Sequence, residues 1–576
     1  MAAFRNLLLV GTWIWPAATQ SVLHDPATAA ASYDYVIAGG GLTGLVVASR
    51  LTEDPKTSVL VIEYGDLAAD SWNISMPYYA NFLQDASLMF ATPSVPQRGL
   101  WNRVFNLPLV ATVGGGSTVN GMAYVRGARV DYNTWEGLGN RGWGWDGISQ
   151  SSTLNVPSRE VVQQLGYTFD RSIFGHGPAQ AALAPWQWPD AWTDDLGYPT
   201  RNDGNMNGEL LGLTWSAPIS ADGNLTRCSA RKGYYDPIRN RPNLQLLVNS
   251  YVAKVQIRES TAKGVEVFSR DDRSKKTSIS AKKELSGIRP RDLLERLGIP
   301  VIEDLPGVGA NFMDHPTMRG LSFRFNNANP SEYMANHTGP LTAAHGNSWL
   351  CTSLHNLTAA APALITSLIT SLNGRAYLPA QYANKPTLLA GYAAQLSLLT
   401  RVLVAGTNWS GGVPGIGVTM QKPLSRGTVL INSTDPHPGL SPPLVDFNAL
   451  THPFDARVAV LALKLVRTLL LTTPSMDPLQ VEELAPGPSV QADSDIEAVL
   501  RTSLLNPTNA HPCGTAGMTP RELGGVVDDQ LRVYGVERLR VVDASVLPVI
   551  VAANLQVTMY AVAEKAADLI KGRMPK

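Results

Sequence analysis

The chain has 576 residues, 44% hydrophobic and 16% charged, with 47 lysines and arginines balanced by 47 aspartates and glutamates. Such a composition belongs to a folded globular protein of two or more domains and excludes an intrinsically disordered chain. No basic run stands out, so neither nucleic acid nor an anionic membrane surface is an expected partner; the expected ligands are small molecules.

At the N-terminus, Arg5, the apolar run Leu7 to Trp15 and then Pro16, Ala17 and Ala18 read as a secretory signal peptide over residues 1–20. Its apolar core is too short to span a bilayer. Six N-x-S/T sequons, at Asn73, Asn224, Asn336, Asn356, Asn408 and Asn432, fit a glycosylated protein that is secreted or in the secretory pathway. Cys228, Cys351 and Cys513 lack the paired short spacing of a zinc site and are too few for a disulfide framework, so no metal is expected and at most one bridge.

The stretch Tyr33 to Tyr64 reads as strand, glycine turn, helix, strand and acid. Tyr35 to Ala38 is an apolar run suited to a buried parallel strand, and Gly39, Gly41 and Gly44 supply the G-x-G-x-x-G spacing. The first glycine permits a tight turn, the second lets the backbone approach a pyrophosphate, and the third allows close packing of helix on strand. A helix from about Leu42 to Leu51 then points its N-terminal amides, those of Leu42 and Thr43 included, at the phosphates. Val59 to Ile62 is a second strand, and Glu63 at its end lies about 20 residues past the glycines, where a carboxylate accepts ribose hydroxyls and favours an unphosphorylated ribose. The unit predicts a dinucleotide site and leaves FAD and NAD both open.

A second glycine cluster, Val113 to Met122, has a backbone able to wrap a flat or anionic ligand. Near the C-terminus come His511-Pro-Cys-Gly-Thr515, Gly524-Gly-Val-Val-Asp528, the run Leu539 to Ser545, and Ala553-Asn-Leu-Gln556. Standing alone, His511 also reads as a core histidine. Asn554 likewise reads as the N-cap of a helix over Leu555 to Ile570.

Together these motifs resemble the glucose–methanol–choline (GMC) family of FAD-dependent oxidoreductases, from about Tyr33 to the C-terminus. Within that family the chain is similar to secreted fungal members related to aryl-alcohol oxidases and secondary-metabolite dehydrogenases. The resemblance implies FAD and an α/β, doubly wound, Rossmann-like FAD-binding domain assembled from the discontinuous segments 33–150, 215–320 and 500–572. It also implies an α+β substrate domain with an antiparallel sheet, from 151–214 and 321–499.

On the same resemblance, Gly39, Gly41, Gly44 and Glu63 hold the ADP part, and Gly115, Ser117, Asn120, Gly121, Met122 and Ala123 lie along the pyrophosphate and flavin. Val252, in the strand-like run Leu246 to Val255, corresponds to an adenine-side backbone contact; Asp543, Ala544 and the stretch Asn554 to Thr558, with Leu555 and Gln556, close over the flavin. His511 and Asn554 match the family's catalytic pair. An imidazole takes an alcohol proton near working pH, whereas an amide only donates and accepts hydrogen bonds, so His511 is the implied general base and Asn554 the group that orients the hydroxyl.

The implied reaction passes a hydride from a primary or secondary alcohol to flavin N5 and returns the electrons to O2 or another acceptor. The implied substrate is aromatic or polyketide-derived, in fungal secondary metabolism. Trp349, Tyr377, Tyr382, Tyr392 and Trp409 offer either an aromatic pocket or core packing. Because fold does not fix function, a non-redox cyclase or lyase on the same scaffold stays open.

The chain also departs from the family pattern. Ala281-Lys-Lys-Glu284 runs directly into Leu285-Ser-Gly-Ile-Arg-Pro290, without the strand, glycine turn and Thr-Pro helix start of the family's second signature, and Arg289 stands where glycine is expected. Losing a central parallel strand is expected to leave ladder groups unpaired and to open the cofactor cavity. A second shortening follows Trp145. Omitted coding sequence and a degenerate, inactive paralogue both account for such gaps. Val110-Ala111 replaces a frequent Gly-Arg or Gly-Lys, so one cation near the phosphates is expected to be missing.

Overall fold

Val59, Leu60, Val61 and Ile62 are at most 2% exposed, and an all-apolar run of this kind makes a strand covered on both faces. Each such side chain contributes about 1.5–3 kcal/mol on leaving water. The computed structural model describes residues 21–69, 72–75, 86–149, 154–155, 179–181, 194–199, 208–209, 212–220, 226–284, 301–327, 347–367, 374–399, 404–409, 416–437 and 439–573. Residues 1–20, where a signal peptide is expected, Asn224, Asn336 and the segment Leu285 to Pro290 lie outside these residues.

In chain order the strands that matter are β1 (Val22–Leu23), β2 (Ser32–Ala38), β3 (Val59–Ile62), β4 (Gly212–Ser220), β5 (Leu244–Leu247), β6 (Ser250–Arg258), β7 (Thr261–Ser269), β8 (Lys276–Glu284), β9 (Thr317–Met318), β10 (Asn347–Ser353), β11 (Val404–Trp409), β12 (Ile416–Met420) and β13 (Leu505–Asn506). The helices are α1 (Leu42–Leu51), α2 (Arg129–Gly137), α3 (Pro386–Leu399), α4 (Pro453–Thr472) and α5 (Leu555–Ile570). One sheet has the order β1-β5-β3-β2-β8-β7-β6; it is parallel from β1 to β8 and antiparallel through β7 and β6. A separate sheet contains the antiparallel run β13-β9-β12-β11-β10-β4, and it continues beyond β4 to Ala179–Ala181, antiparallel to β4, and Leu154–Asn155, parallel to Ala179–Ala181. This is the expected combination of a doubly wound sheet and an antiparallel one.

The run Leu246 to Val255 does not form the single strand expected of it. The chain leaves parallel β5 at Val248, turns at Asn249 with φ +50°, and enters antiparallel β6, so Val252 sits opposite Val267 of β7.

The expected defect beside β2 is partly repaired. β8 lies parallel to β2 with Ser280 opposite Ser32, Ala281 opposite Tyr33 and Glu284 opposite Tyr35. Among the described residues that ladder stops there, and Val36, Ile37 and Ala38 pair only with β3. Arg538 donates from Nε to the Lys283 carbonyl and from Nη2 to the Ala281 carbonyl, at 2.9 and 2.8 Å, which satisfies acceptors along the truncated strand.

Helix α1 buries Leu45, Val46, Val47, Ala48 and Leu51, and packs against α5. Arg50 ties the two helices, reaching Asp568 at 3.1 Å and also Glu564. Cys228 and Cys513 are both buried. Among the described residues no helix is long and apolar enough to cross a membrane.

Candidate active site

Each glycine of the first unit has a distinct geometric reason. Gly39 takes φ +106°, which turns the chain out of β2. A Cβ on Gly44 would stand 2.1 Å from the Gly39 carbonyl oxygen, so only glycine lets α1 sit this close to the turn. A Cβ on Gly39 or Gly41 would meet nothing within 4 Å, and no side chain caps α1 at Gly41. The first turn, with Leu42 and Thr43, is partly exposed and presents its amides outward.

Glu63 accepts from the Gly40 amide at 2.7 Å and from the Gly65 amide at 2.8 Å, which ties the end of β3 to the glycine turn. Burial raises its pKa, and the amides pull the other way.

The second glycine cluster docks on the first through the Gly114 amide, which donates to the Gly40 carbonyl at 2.8 Å. Ser117 is buried, donating to the Gly114 carbonyl and accepting from the Ala230 amide at 2.6 and 2.9 Å. Asn120 is a junction: its Nδ2 donates to Gln556 Oε1 at 2.7 Å, and its Oδ1 accepts from the Met122 amide at 3.1 Å and from Arg227 Nη1 at 2.8 Å. Gly121 precedes Met122, a buried non-glycine residue at φ +59°, and Ala123 then pairs with Pro218 of β4. Leu555 and Gln556 open α5 and are buried. Asp543 caps the short turn Ala544–Val546, and the Ala544 carbonyl accepts from the Gly514 amide at 3.1 Å, which brings this turn beside the His511 loop.

That loop meets the segment after Ala310. Met313 and Cys513 exchange both backbone hydrogen bonds, at 3.0 and 2.9 Å, so His511 and His315 face each other. Asp314 clamps the loop: its carboxylate accepts from the amides of His315, Asn509 and His511 at 2.7, 3.1 and 3.1 Å, and from Thr508 Oγ1 at 2.6 Å. Burial still pushes Asp314 up to about 6.

The imidazoles form a chain of known polarity. His315 Nε2 lies 3.0 Å from the Val551 carbonyl, which only accepts, so this nitrogen carries a proton. Burial, then the neighbouring His511 and Lys422, holds the His315 pKa well below its ordinary value, so the ring is neutral and its Nδ1 is an acceptor. His511 Nδ1, 2.9 Å away, must be the donor. His511 Nε2 is therefore bare, and burial, which pulls its pKa down to about 4, keeps it so. Asn554 Nδ2 donates to that nitrogen at 3.3 Å, while Asn554 Oδ1 is buried with no hydrogen-bond partner among the described residues. Asn554 does occupy the N-cap position of α5, but its side chain makes no capping bond and turns to His511 instead.

Family models described as GMC oxidoreductase match residues 33–317 and 423–563. The chain belongs to the GMC oxidoreductase family. It is 34% identical to Dehydrogenase xptC of Emericella nidulans over 99% of this chain and 97% of that one. Among solved structures, an FAD-dependent oxidoreductase from Chaetomium thermophilum superposes with a TM-score of 0.85 at 34% identity, covering 94% of this chain and 99% of the other. A fungal aryl-alcohol oxidase superposes with the same score at 31% identity, covering 94% and 99%.

This GMC oxidoreductase is accordingly an FAD-dependent enzyme acting on CH–OH groups, and its residues fit the cofactor: an uncapped helix end, glycines with open space beside them, and a buried carboxylate, Glu63, at the end of β3. The glycine-turn residues would hold the ADP part, and Ser117, Asn120 and Gln556 the region next to it.

Sequence reasoning missed His315, Asp314 and Arg227. The run Asp314-His315-Pro316 was the available signal for the first two. Arg227 is buried, donates from Nε to the Ile74 carbonyl at 2.8 Å and from Nη1 to the Ser117 carbonyl at 3.2 Å, and places a cation behind the second glycine cluster that Val110-Ala111 does not supply. Tyr382 and Tyr392 are core residues, with hydroxyls bonded to the Asn311 amide and the Leu424 carbonyl. Tyr377 packs on His452, and the side chains of Trp349 and Trp409 lie outside the described residues.

Proposed function

We propose that the enzyme oxidises an aromatic or polyketide-derived alcohol, with His511 as general base and Asn554 as the group that orients the hydroxyl. The observation that carries this reading is the bare Nε2 of His511 held 3.3 Å from the Asn554 amide. A substrate hydroxyl entering between them donates to His511 Nε2 and accepts from Asn554 Nδ2, which aligns its O–H bond with the base. FAD supplies the hydride acceptor. As the C–H bond gives up its hydride, His511 takes the hydroxyl proton and the carbon–oxygen bond becomes a carbonyl; the resulting imidazolium is stabilised by donation from Nδ1 to His315.

The aromatic substrate class draws support from the aryl-alcohol oxidase likeness, and alcohol dehydrogenation from similarity to a fungal dehydrogenase. Passage through the secretory pathway draws support from Asn356 and Asn432, both exposed and available for glycosylation. Incubating purified, FAD-loaded protein in air with a panel of benzylic and aliphatic alcohols tests the substrate class. Carbonyl products from the benzylic members, at higher kcat/KM than from aliphatic ones, are expected; product from no aromatic alcohol would overturn it.

A further inference from the structure

Ile550, Val551 and Ala552 form a short segment outside any helix or strand that leads into Asn554, and each is anchored from a different element. The Ile550 carbonyl accepts from Lys422 Nζ, the Val551 carbonyl accepts from His315 Nε2, and the Ala552 amide donates to Asp131 Oδ2 at 2.8 Å. Lys422 Nζ also meets Asp131 Oδ1 at 2.5 Å, and the two side chains are 1% and 0% exposed. Asp131 lies in the first turn of α2 and accepts from the Ala128 amide at 2.9 Å, while Lys422 follows β12.

A fully buried ion pair is a poor way to add stability, because desolvating both charges offsets their attraction. Its placement supplies a reason for it. We infer that Lys422 and Asp131 are positioning residues for the base His511 and for His315 behind it, acting by fixing the Ile550–Ala552 segment that His315 and Asn554 depend on. The inference rests on the reading of His511 as base.

Its chemistry follows from the tautomers. A proton added at His315 Nδ1 would make that atom a donor, so His511 Nδ1 would have to accept. The His511 proton would then sit on Nε2, where it abolishes the base. The charged and titratable groups around the pair are Asp314 on the His315 segment, Lys422 and Arg426 on the loop after β12, Asp131 on α2, and Cys513 beyond His511. Burial followed by repulsion from His511 and Lys422 holds His315 neutral, which agrees with the geometry.

The test is the pH profile of kcat/KM for FAD-loaded K422M, D131N and the K422M/D131N double variant, with H511Q as reference. Removing the ammonium makes a proton on the histidine pair easier to add, so the acidic limb of K422M should move up by about one pH unit, a tenfold change in acid constant. D131N leaves the ammonium uncompensated and should move the limb down, and the double variant should lie between the two. Limbs that stay at the wild-type position, or that move in the same direction in both single variants, would overturn the inference even if activity falls. Should K422M fail to fold, D131N against the double variant decides it by the same displacement. Undiminished turnover in H511Q would instead reject His511 as base, a distinct failure.

Discussion

Replacing His511 with glutamine should lower kcat by roughly 10²–10⁴-fold, the usual span for losing a general base, while KM changes little. Glutamine can still hydrogen-bond the substrate hydroxyl but cannot take its proton, so only the chemical step suffers. The pH dependence gives a second readout. Burial pulls the His511 pKa down to about 4 from 6.5, so the base remains unprotonated far into the acid range. A base is active above its own pKa; the acidic limb of wild-type kcat/KM should therefore lie near pH 4 rather than near 6.5, and H511Q should lose it. The same depression opposes folding in acid: between about 6.5 and 4 the unfolded chain binds a proton here that the folded chain does not, so this residue's contribution to stability falls as pH drops through that window. Steady-state kinetics from pH 3 to 9, normalised to flavin content, check both expectations, and an H511Q enzyme with wild-type kcat would contradict them.

Gly44→Ala should strip the protein of its cofactor. The added Cβ would lie 2.1 Å from the Gly39 carbonyl oxygen, a backbone atom that cannot rotate away, so α1 must lift from the turn that carries Gly39 and Gly41. Overpacking of this kind costs about 1–3 kcal/mol, and here the strain falls on the helix-end amides that would hold the phosphates. Weakening of FAD binding by at least roughly tenfold is expected, since about 1.4 kcal/mol is one decade in Kd. Gly137→Ala is the control: its Cβ would rest 3.5 Å from Leu398 Cδ1, an ordinary contact, at the end of α2. Flavin retained per polypeptide after gel filtration, together with a thermal melt, separates the two. Full retention in G44A would show that the glycine turn does not position the cofactor.

The first glycine unit was legible because everything it does is local. The turn at Gly39, the close approach at Gly44 and the acid ending β3 all fall within about 25 residues, and each residue type admits few geometries. His511 and Asn554 were legible only as motifs; nothing in their spacing says that the asparagine forgoes capping α5 in order to meet the imidazole. His315 was not legible, because its partner is 196 positions away and the encounter depends on the Met313–Cys513 pairing. The Lys422–Asp131 pair escaped notice for the same reason, since a lysine in a loop normally reads as solvated. The shortening after Glu284 was visible as a missing strand, yet not its consequence: β8 extends beside β2 as far as Tyr35, and Arg538 takes up the freed carbonyls. Tyr382 and Tyr392 show why the substrate pocket resisted reading, since aromatic composition does not distinguish a pocket wall from a core.

The most direct test of the account is anaerobic mixing of the FAD-loaded enzyme with an aromatic alcohol while the visible flavin absorbance is followed, in wild type and in H511Q. Rapid bleaching with one carbonyl product per flavin, slowed by roughly two orders of magnitude or more in H511Q, is the predicted result. A flavin that stays oxidised while the alcohol is unchanged, or while it is converted without loss of two electrons, would contradict it.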